Sequence, residues 1–243
     1  MQVHCWGVRG LVPVPGPSTV KFGGNTTCFS MSIGDDHQLI LDAGTGVRNI
    51  DIADRQVFLL VFSHVHHDHQ QGLPFFPAIY FPDRALHLAS HVSAPTHPNE
   101  VGRIDCADNY AHPQNGTLFY RITEHATGHS VVYATDTEAF RGGNQALIKF
   151  AEGADILIHD SQYTEEQYLG TAPVVQGFGH SDFKSVVEVA AAAGVKRLRL
   201  THFDPRNDDA VVAKMERDAR AHAGTLEKGL EVVAAREGTT FDC

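Results

Sequence analysis

Four histidines and one aspartate fall within six consecutive positions of this chain, at His64, His66, His67, Asp68 and His69. They directly follow the apolar run 57–62, whose branched and aromatic side chains predict a buried strand. His64 and His66 alternate, so they point the same way on an extended backbone. Imidazole nitrogens and carboxylate oxygens are the ligands that suit zinc, iron or manganese. The cluster therefore predicts a metal site at the end of a strand.

Three further polar residues stand where a predicted strand meets a loop. His112 comes shortly before the apolar strand pattern that begins at Thr117, Asp136 follows the run 131–135, and His202 follows the run 197–201. Since one cluster does not complete a metal site, we expect these residues to converge on it.

Each of these residues also has a plainer interpretation. Asp136 would serve as a turn cap, and His202 as a hydrogen-bonded core histidine. His112 would be an exposed residue, with His125 or His129 as the ligand in its place. The remaining histidines that attract attention are interpreted as ordinary surface or core residues; they are His37, His67, His125, His129 and His222.

Length and composition narrow the class of protein. The 243 residues carry a formal charge of -10, which provides no overall basic field for nucleic acid. The four cysteines are scattered without a CxxC pair, so neither a disulfide framework nor a cysteine zinc site is predicted. The segment 1–6 lacks a secretory signal pattern, and no apolar stretch has the length of a membrane span. We expect one cytoplasmic domain over residues 1–243.

The pattern of predicted elements indicates how the site is positioned. Strands dominate the first third, and a helix is predicted to start at the N-cap Ser181 and to end at Gly194. A helix is also expected within 139–152 and another over 208–222, whereas 93–111 has no regular pattern. Strands followed by alternating strands and helices predict an α+β fold of two packed sheets with helices outside.

The aromatic segment 73–81, broken by proline, cannot be a regular helix. Three interpretations are open for it. It would form a wall of the site, a surface for a homodimer, or plain core packing.

The unbroken HxHxDH motif at 64–69, with His112, Asp136 and His202 following in order, resembles the signature of the metallo-β-lactamase superfamily. The resemblance extends over nearly the whole chain. Its other marks are Trp6-Gly7-Val8-Arg9-Gly10, Gly23-Gly24-Asn25-Thr26, Leu41-Asp42-Ala43-Gly44-Thr45-Gly46, Tyr133-Ala134-Thr135-Asp136-Thr137-Glu138, Gly179-His180-Ser181 and Thr201-His202-Phe203-Asp204-Pro205. These pieces are similar to the branch that contains ribonuclease Z and bacterial cyclic phosphodiesterases.

The resemblance implies a four-layer αββα sandwich of two mixed sheets and a dinuclear centre for two divalent ions. By analogy, one ion is held by His64, His66 and His112, and the other by Asp68, His69 and His202. Asp136 would bridge the two ions. Zinc is expected, and manganese or iron also suits these ligands. Asp42 is expected to support a ligand imidazole from behind, the alternative being a turn cap.

The resemblance also implies a hydrolase in which a hydroxide shared by the two metals attacks phosphorus. His180, beside a helix start that favours phosphate, would protonate the leaving oxygen with Asp160 as its partner. The plainer interpretations are a turn cap for His180 and a loop carboxylate for Asp160. Asp68 is predicted to belong to the catalytic set as well as to the ligands.

Two departures from the branch bear on the substrate. The chain is short between Gly72 and His112, and it lacks the glycine-rich arm with which ribonuclease Z grips tRNA. We therefore expect a small phosphodiester, such as a cyclic nucleotide or cyclic phosphate, and no tRNA. A lactone or carboxylic ester on the same centre is the alternative, and a non-catalytic binding module is the third.

Overall fold

The computed structural model describes residues 1–33, 37–90, 102–112, 116–140 and 142–243 of the chain. Within this part, twelve strands form two six-stranded sheets. Both sheets are mixed, and each is antiparallel in one half and parallel in the other. The prediction of an α+β sandwich of two mixed sheets is confirmed.

The first sheet has the order β12-β1-β2-β3-β4-β5. Its strands are β1 (Gln2–Gly7), β2 (Cys28–Ile33), β3 (His37–Leu41), β4 (Val57–Phe62), β5 (Ala85–Ser90) and β12 (Thr240–Asp242). β3, β4 and β5 run parallel, and the other pairs are antiparallel. The apolar run 57–62 therefore forms a strand with a neighbour on either side, as its composition predicts.

The second sheet has the order β11-β10-β9-β8-β7-β6. Its strands are β6 (Gly102–Asn109), β7 (Thr117–Glu124), β8 (Ser130–Ala134), β9 (Ile156–Asp160), β10 (Arg197–Thr201) and β11 (Glu231–Ala234). The strands β8 to β11 are parallel to one another. Every residue of β8 and β9 is buried, so these two strands form the centre of the molecule.

The helices are α1 (His67–Gln70), α2 (Gln145–Phe150), α3 (Glu165–Leu169), α4 (Phe183–Ala192) and α5 (Asp209–Thr225). α4 and α5 cover the outer face of the second sheet, where α4 contacts β9 and β10 and α5 contacts β11. Over the first sheet, the outer layer consists of short 3-10 turns at 45–49, 73–75 and 77–80. None of the helices described here is long and apolar enough to cross a membrane.

The start of α4 differs by one residue from the prediction. Asp182, and not Ser181, is the N-cap, because its carboxylate accepts hydrogen bonds from the backbone N–H groups of Lys184 and Ser185. The Ser181 hydroxyl instead donates to the carbonyl oxygen of Thr137 at 2.6 Å. Serine and aspartate are about equally good caps, so local sequence does not choose between them. The first N–H groups of α4 are thus satisfied within the chain.

Apolar side chains fill the space between the sheets, with Phe29 of β2 packed edge-on against Tyr133 of β8 at 5.9 Å between ring centroids. A second cluster covers the outer face of the first sheet, where Phe58 packs against Phe76. Phe76 therefore has the core role considered for the segment 73–81. Phe75 and Tyr80 of the same segment are exposed.

The prediction of an irregular segment over 93–111 is wrong for its second half. Residues 102–109 form β6, paired with β7 along its whole length, while 93–101 lie outside the described residues. β6 is polar and its burial does not alternate cleanly. Its sequence therefore did not indicate a strand, and the strand forms through pairing with β7.

Candidate metal centre

The two sheets bring four strand ends to one place. His64 lies just beyond β4, and Asp68 and His69 lie in the helical turn α1 that follows. In the second sheet, Asp136 lies just beyond β8, Asp160 ends β9 and His202 lies just beyond β10. Parallel strands have their carboxyl ends at the same edge of a sheet, so these side chains lie close together.

One group of possible ligand atoms comes from His64, His66, His112 and Asp136, all within 4.8 Å of one another. The Nε2 atom of His112 lies 3.1 Å from Nδ1 of His66. The Nε2 atom of His64 lies 3.5 Å from Oδ2 of Asp136. His112, rather than His125 or His129, thus meets the cluster: His125 is exposed and His129 pairs with Asp155.

A second group comes from Asp68, His69 and His202, with the same spacing limit. The Oδ2 atom of Asp68 lies 3.4 Å from Nε2 of His69 and 3.3 Å from Nε2 of His202. The backbone N–H of Leu11 donates to the same oxygen at 2.8 Å, which orients the carboxylate. A Cβ at Gly10 would come within 2.3 Å of the His202 ring, so only glycine fits there.

Asp136 lies between the two groups and turns one oxygen toward each. Its Oδ1 atom lies 3.0 Å from Nε2 of His69 and 3.1 Å from Nε2 of His202. Its Oδ2 atom faces the first group, 3.5 Å from His64 and 3.8 Å from His112. This is the placement that a carboxylate bridging two ions requires.

Two of the possible ligand atoms have no hydrogen-bond partner among the described residues, which fits a role in binding a cation. The buried Nε2 atoms of His64 and His69 have no hydrogen-bond partner in the described part of the chain, which is rare for buried polar groups. Tetrahedral zinc with bonds of 2.0–2.1 Å places its ligands about 3.3 Å apart. The observed separations of 3.0–3.8 Å span this value.

The imidazoles are oriented from behind by acceptors at Nδ1. His69 Nδ1 donates to Asp42, His112 Nδ1 to the carbonyl of Gly179, and His202 Nδ1 to Gln162 Oε1. With Nδ1 as the donor, Nε2 faces the centre in each ring and is the nitrogen that can bind a cation once it carries no proton. This arrangement is typical of metal-ligating histidines.

The Asp42 carboxylate is fully buried and accepts four hydrogen bonds. The donors are the backbone N–H and the hydroxyl of Ser63, the His69 ring and the Tyr133 hydroxyl, at 2.6–2.8 Å. Tyr133 belongs to the opposite sheet, so Asp42 connects the two sheets behind the centre. The contact with His69 is the one expected of a residue that supports a ligand imidazole.

Four residues of the site have left-handed backbones, which are rare for residues other than glycine: Leu11 at φ 64°, Asp42 at φ 59°, Asp136 at φ 49° and His202 at φ 61°. Such conformations cost about 1–3 kcal/mol each and concentrate at functional sites. Asp42 and His202 directly follow β3 and β10, Asp136 comes shortly after β8, and all four residues contact the ligand groups. The surrounding packing and hydrogen bonds offset this cost.

His180 lies at the side of the centre with its ring held by Asp160. The Asp160 carboxylate accepts a hydrogen bond from His180 Nδ1 at 2.6 Å and others from the backbone N–H groups of Ser181 and Gln162. The Nε2 atom of His180 lies 4.0 Å from Oδ2 of Asp136. The predicted pairing of His180 with Asp160 is therefore present in the geometry.

Burial and neighbouring charges lower the pKa of some histidines of the site and raise the pKa of others. Burial and the neighbouring His69 lower the pKa of His64 to about 2, and burial also lowers the pKa of His112. For His202, burial acts downward, but Asp136 and Asp68 outweigh it and raise the pKa to about 9. In the same way, Asp136 and Asp68 overcome burial and raise the pKa of His69.

Metal binding at pH 7 is therefore expected to release protons, about two per chain, from His69 and His202. Both rings must be neutral to bind a cation, whereas His64 is already neutral. The release should shrink as the pH rises through 9, the pKa to which His202 is raised. Zinc titrations of chelator-treated protein by calorimetry, in two buffers of different ionisation enthalpy, measure this number. A value near zero at pH 7 would contradict it.

The same raised pKa has a consequence for stability. A group whose pKa is higher in the folded than in the unfolded chain stabilises the fold fully below the unfolded value, about 6.5 for histidine. That contribution disappears as the pH rises through about 9 for His202. The chelated protein should therefore lose stability between these pH values, and the zinc-loaded protein should not.

A cavity of about 550 Å³ opens over the centre. Its described lining residues are Leu11, His66, Asp68, His112, Asp136, Gln162, Tyr163, Pro173, Val175, Phe178, His180, Asp204, Pro205 and Arg206. None of these lies in the segment 73–81, so the described lining does not support the interpretation of that segment as a wall of the site. The sequence did not predict a role for the segment 173–178, because its apolar side chains follow neither the strand nor the helix period.

The comparisons with known proteins agree with this geometry. Residues 102–203 match the family model described as Beta-lactamase superfamily domain. The chain superposes over 99% of its length on 98% of the metallo-β-lactamase fold protein YhfI from Bacillus subtilis, with a TM-score of 0.74 and 19% identity. This chain has the metallo-β-lactamase fold. The predicted resemblance to that superfamily is confirmed.

Two further matches are to proteins named ribonuclease Z or tRNase Z. Ribonuclease Z of Brevibacillus brevis is 37% identical over 89 residues, which are 36% of this chain and 25% of that protein. Human tRNase Z, short form, superposes over 100% of this chain and 99% of its own, with a TM-score of 0.64 and 16% identity. The sequence match thus spans about a quarter of that curated relative's length. The expectation that tRNA is excluded finds no support among these relatives.

Proposed function

We propose that this protein is a metal-dependent hydrolase that cleaves small phosphodiesters. The observation that carries the proposal is the Asp136 carboxylate, which turns one oxygen toward each of two His/Asp groups, with the His180–Asp160 pair beside them. The ribonuclease Z name of the 37% identical relative supports a phosphodiester as the reacting group.

His64, His66 and His112 would hold one divalent ion, Asp68, His69 and His202 a second, and Asp136 would bridge them. Two such ions supply an activated water and polarise the phosphoryl oxygens. Zinc suits this imidazole-rich set, as do manganese and iron.

The remaining steps belong to the chain's own residues. Asp160 holds Nδ1 of His180, so the Nε2 atom faces the cavity and can give a proton to the leaving oxygen. Leu11 steadies the Asp68 carboxylate through its backbone N–H. Asp42 fixes the His69 ring, so the ligand does not reorient during turnover.

The test uses purified protein whose metal content has been measured. Bis(p-nitrophenyl) phosphate, a panel of cyclic nucleotides, a precursor tRNA and an acyl-homoserine lactone are assayed side by side. Turnover of the diesters, lost in His66→Ala and kept in His67→Ala, is the expected result. His67 is the matched control because it is an exposed neighbour in the same motif.

Other outcomes would reject the proposal or part of it. Lactone opening without diester cleavage would favour an ester hydrolase. Cleavage of precursor tRNA alone would show that tRNA, which we did not expect from the sequence, is the substrate. Protein that binds no metal would favour a binding module, and diester turnover unchanged in His66→Ala would remove the assigned site.

A further inference from the structure

The cavity over the metal centre has two chemically different parts. His66, Asp68, His112, Asp136 and His180 form its polar part. Five apolar side chains form its apolar part: Leu11, Pro173, Val175, Phe178 and Pro205. A phosphoryl group at the polar part would place one ester substituent against the apolar part.

Two of these apolar side chains remain open to solvent. Phe178 is 54% exposed and Leu11 is 47% exposed. Covering such surface with an apolar group is favourable, and an aromatic ring offers a flat face for stacking. Exposed apolar side chains that line one cavity offer a ligand an apolar contact.

The loop that carries Phe178 is held in place by a buried carboxylate. Glu138 is 2% exposed and accepts hydrogen bonds from the backbone N–H groups of Gly177 and Gly179 and from the Tyr168 hydroxyl. Gly177 and Gly179 adopt φ values of 85° and 83°, which favour glycine. Phe178 thus lies between two fixed residues, and its backbone position is set before a ligand arrives.

The other polar side chains of the described lining are engaged within the chain. Gln162 donates to Tyr163 and accepts from His202. Arg206 makes two hydrogen bonds from its side chain to the buried Asp204. These internal hydrogen bonds use polar groups that a hydroxyl-rich ester substituent could otherwise bind, although the Arg206 side chain stays 61% exposed. A flat apolar substituent needs no such partners and would lose little on leaving water.

We propose that Phe178, held by Glu138, makes this site select phosphodiesters that carry a flat aromatic group, such as a nucleobase or an aryl ring. Diesters with only sugar or alkyl substituents are the disfavoured class. The inference rests on the proposed function and names the substrate class for that same site.

The test measures binding of two phosphonates to the zinc-loaded protein by calorimetry, so that it does not depend on turnover. Phenylphosphonate and methylphosphonate share the charged group and differ in the ring. Phenylphosphonate is expected to bind about tenfold more tightly or better. In Phe178→Ala this preference should fall to about threefold or less, with methylphosphonate binding unchanged within about twofold.

Two variants make the test specific. Phe81→Ala is the matched control, because Phe81 is 50% exposed and is not among the described lining residues; it should keep the full preference. Glu138→Gln has nearly the same shape but loses the carboxylate that holds the loop, so it should weaken the preference without removing Phe178. It also tests the proposal if Phe178→Ala fails to fold.

Equal affinity for the two phosphonates would overturn the inference, as would a preference that survives in both Phe178→Ala and Glu138→Gln. If the diester panel is hydrolysed without any such preference, only the inference fails. If neither phosphonate binds and no diester is hydrolysed, the proposed function fails with it.

Discussion

Replacing His180 by alanine is expected to lower kcat for an alkyl phosphodiester by about 10²–10⁴-fold, the usual contribution of a positioned general acid. An alkoxide is a strong base and needs a proton as it leaves, whereas p-nitrophenolate does not. The loss for bis(p-nitrophenyl) phosphate should therefore be much smaller. Steady-state rates for the two diesters, on protein of equal metal content, give the comparison.

His222→Ala is the matched control for this experiment. His222 also pairs with a carboxylate, that of Glu188 at 3.1 Å, but it lies on α5 and is not among the described lining residues of the cavity. It should leave both rates unchanged. Equal losses for the two diesters in His180→Ala would contradict the proton-donor role. Because His180 is also within 4.8 Å of Asp136 and His202 donor atoms, a parallel fall in bound metal would indicate a ligand instead.

Asp136→Ala is expected to have the second large effect, a loss of at least one metal ion per chain and a fall in kcat/KM of at least about a thousandfold. The carboxylate faces four imidazoles from both ligand groups, and its removal leaves them without a common anion. Lewis-acid stabilisation is worth several kcal/mol, and each 1.36 kcal/mol is a factor of ten. Metal analysis and diester kinetics measure the two losses.

Asp155→Ala separates this effect from the general cost of removing a buried carboxylate. Asp155 is also buried and directly precedes β9 of the same sheet, but it pairs with Lys196 and His129 at the opposite end of the strands. This variant should be less stable and should keep its metal. Full metal content in Asp136→Ala would show that the carboxylate does not bridge the two groups.

Much of the site could be predicted because metal ligands need particular donor types in a compact local arrangement. The motif at 64–69 carries four of the predicted ligands in six positions, and short spacing limits where they can point. His112, Asp136 and His202 were predicted from strand ends and from the superfamily resemblance. Their roles as ligands stay predictions, although the fold brings their donor atoms together.

The errors arose where local signals were equal or missing. Ser181 and Asp182 are both good caps, and only the contact of Ser181 with Thr137 decides between them. The strand β6 was missed because its polar residues follow no clear alternation and depend on β7 for pairing. The segment 73–81 was one candidate for the wall, but the described lining comes from 173–178 and Leu11.

By itself, the sequence determined two packed sheets with helices outside and the donor atoms near the strand ends, because periodicity and residue chemistry are local properties; the mixed sheets were expected only from the superfamily resemblance. Only the tertiary structure decided how those atoms face one another. The left-handed backbones of Asp42, Asp136 and His202, the four hydrogen bonds to Asp42 and the loop held by Glu138 all depend on contacts between residues far apart in the chain. Such contacts exist only after the two sheets have packed, so no local pattern encodes them.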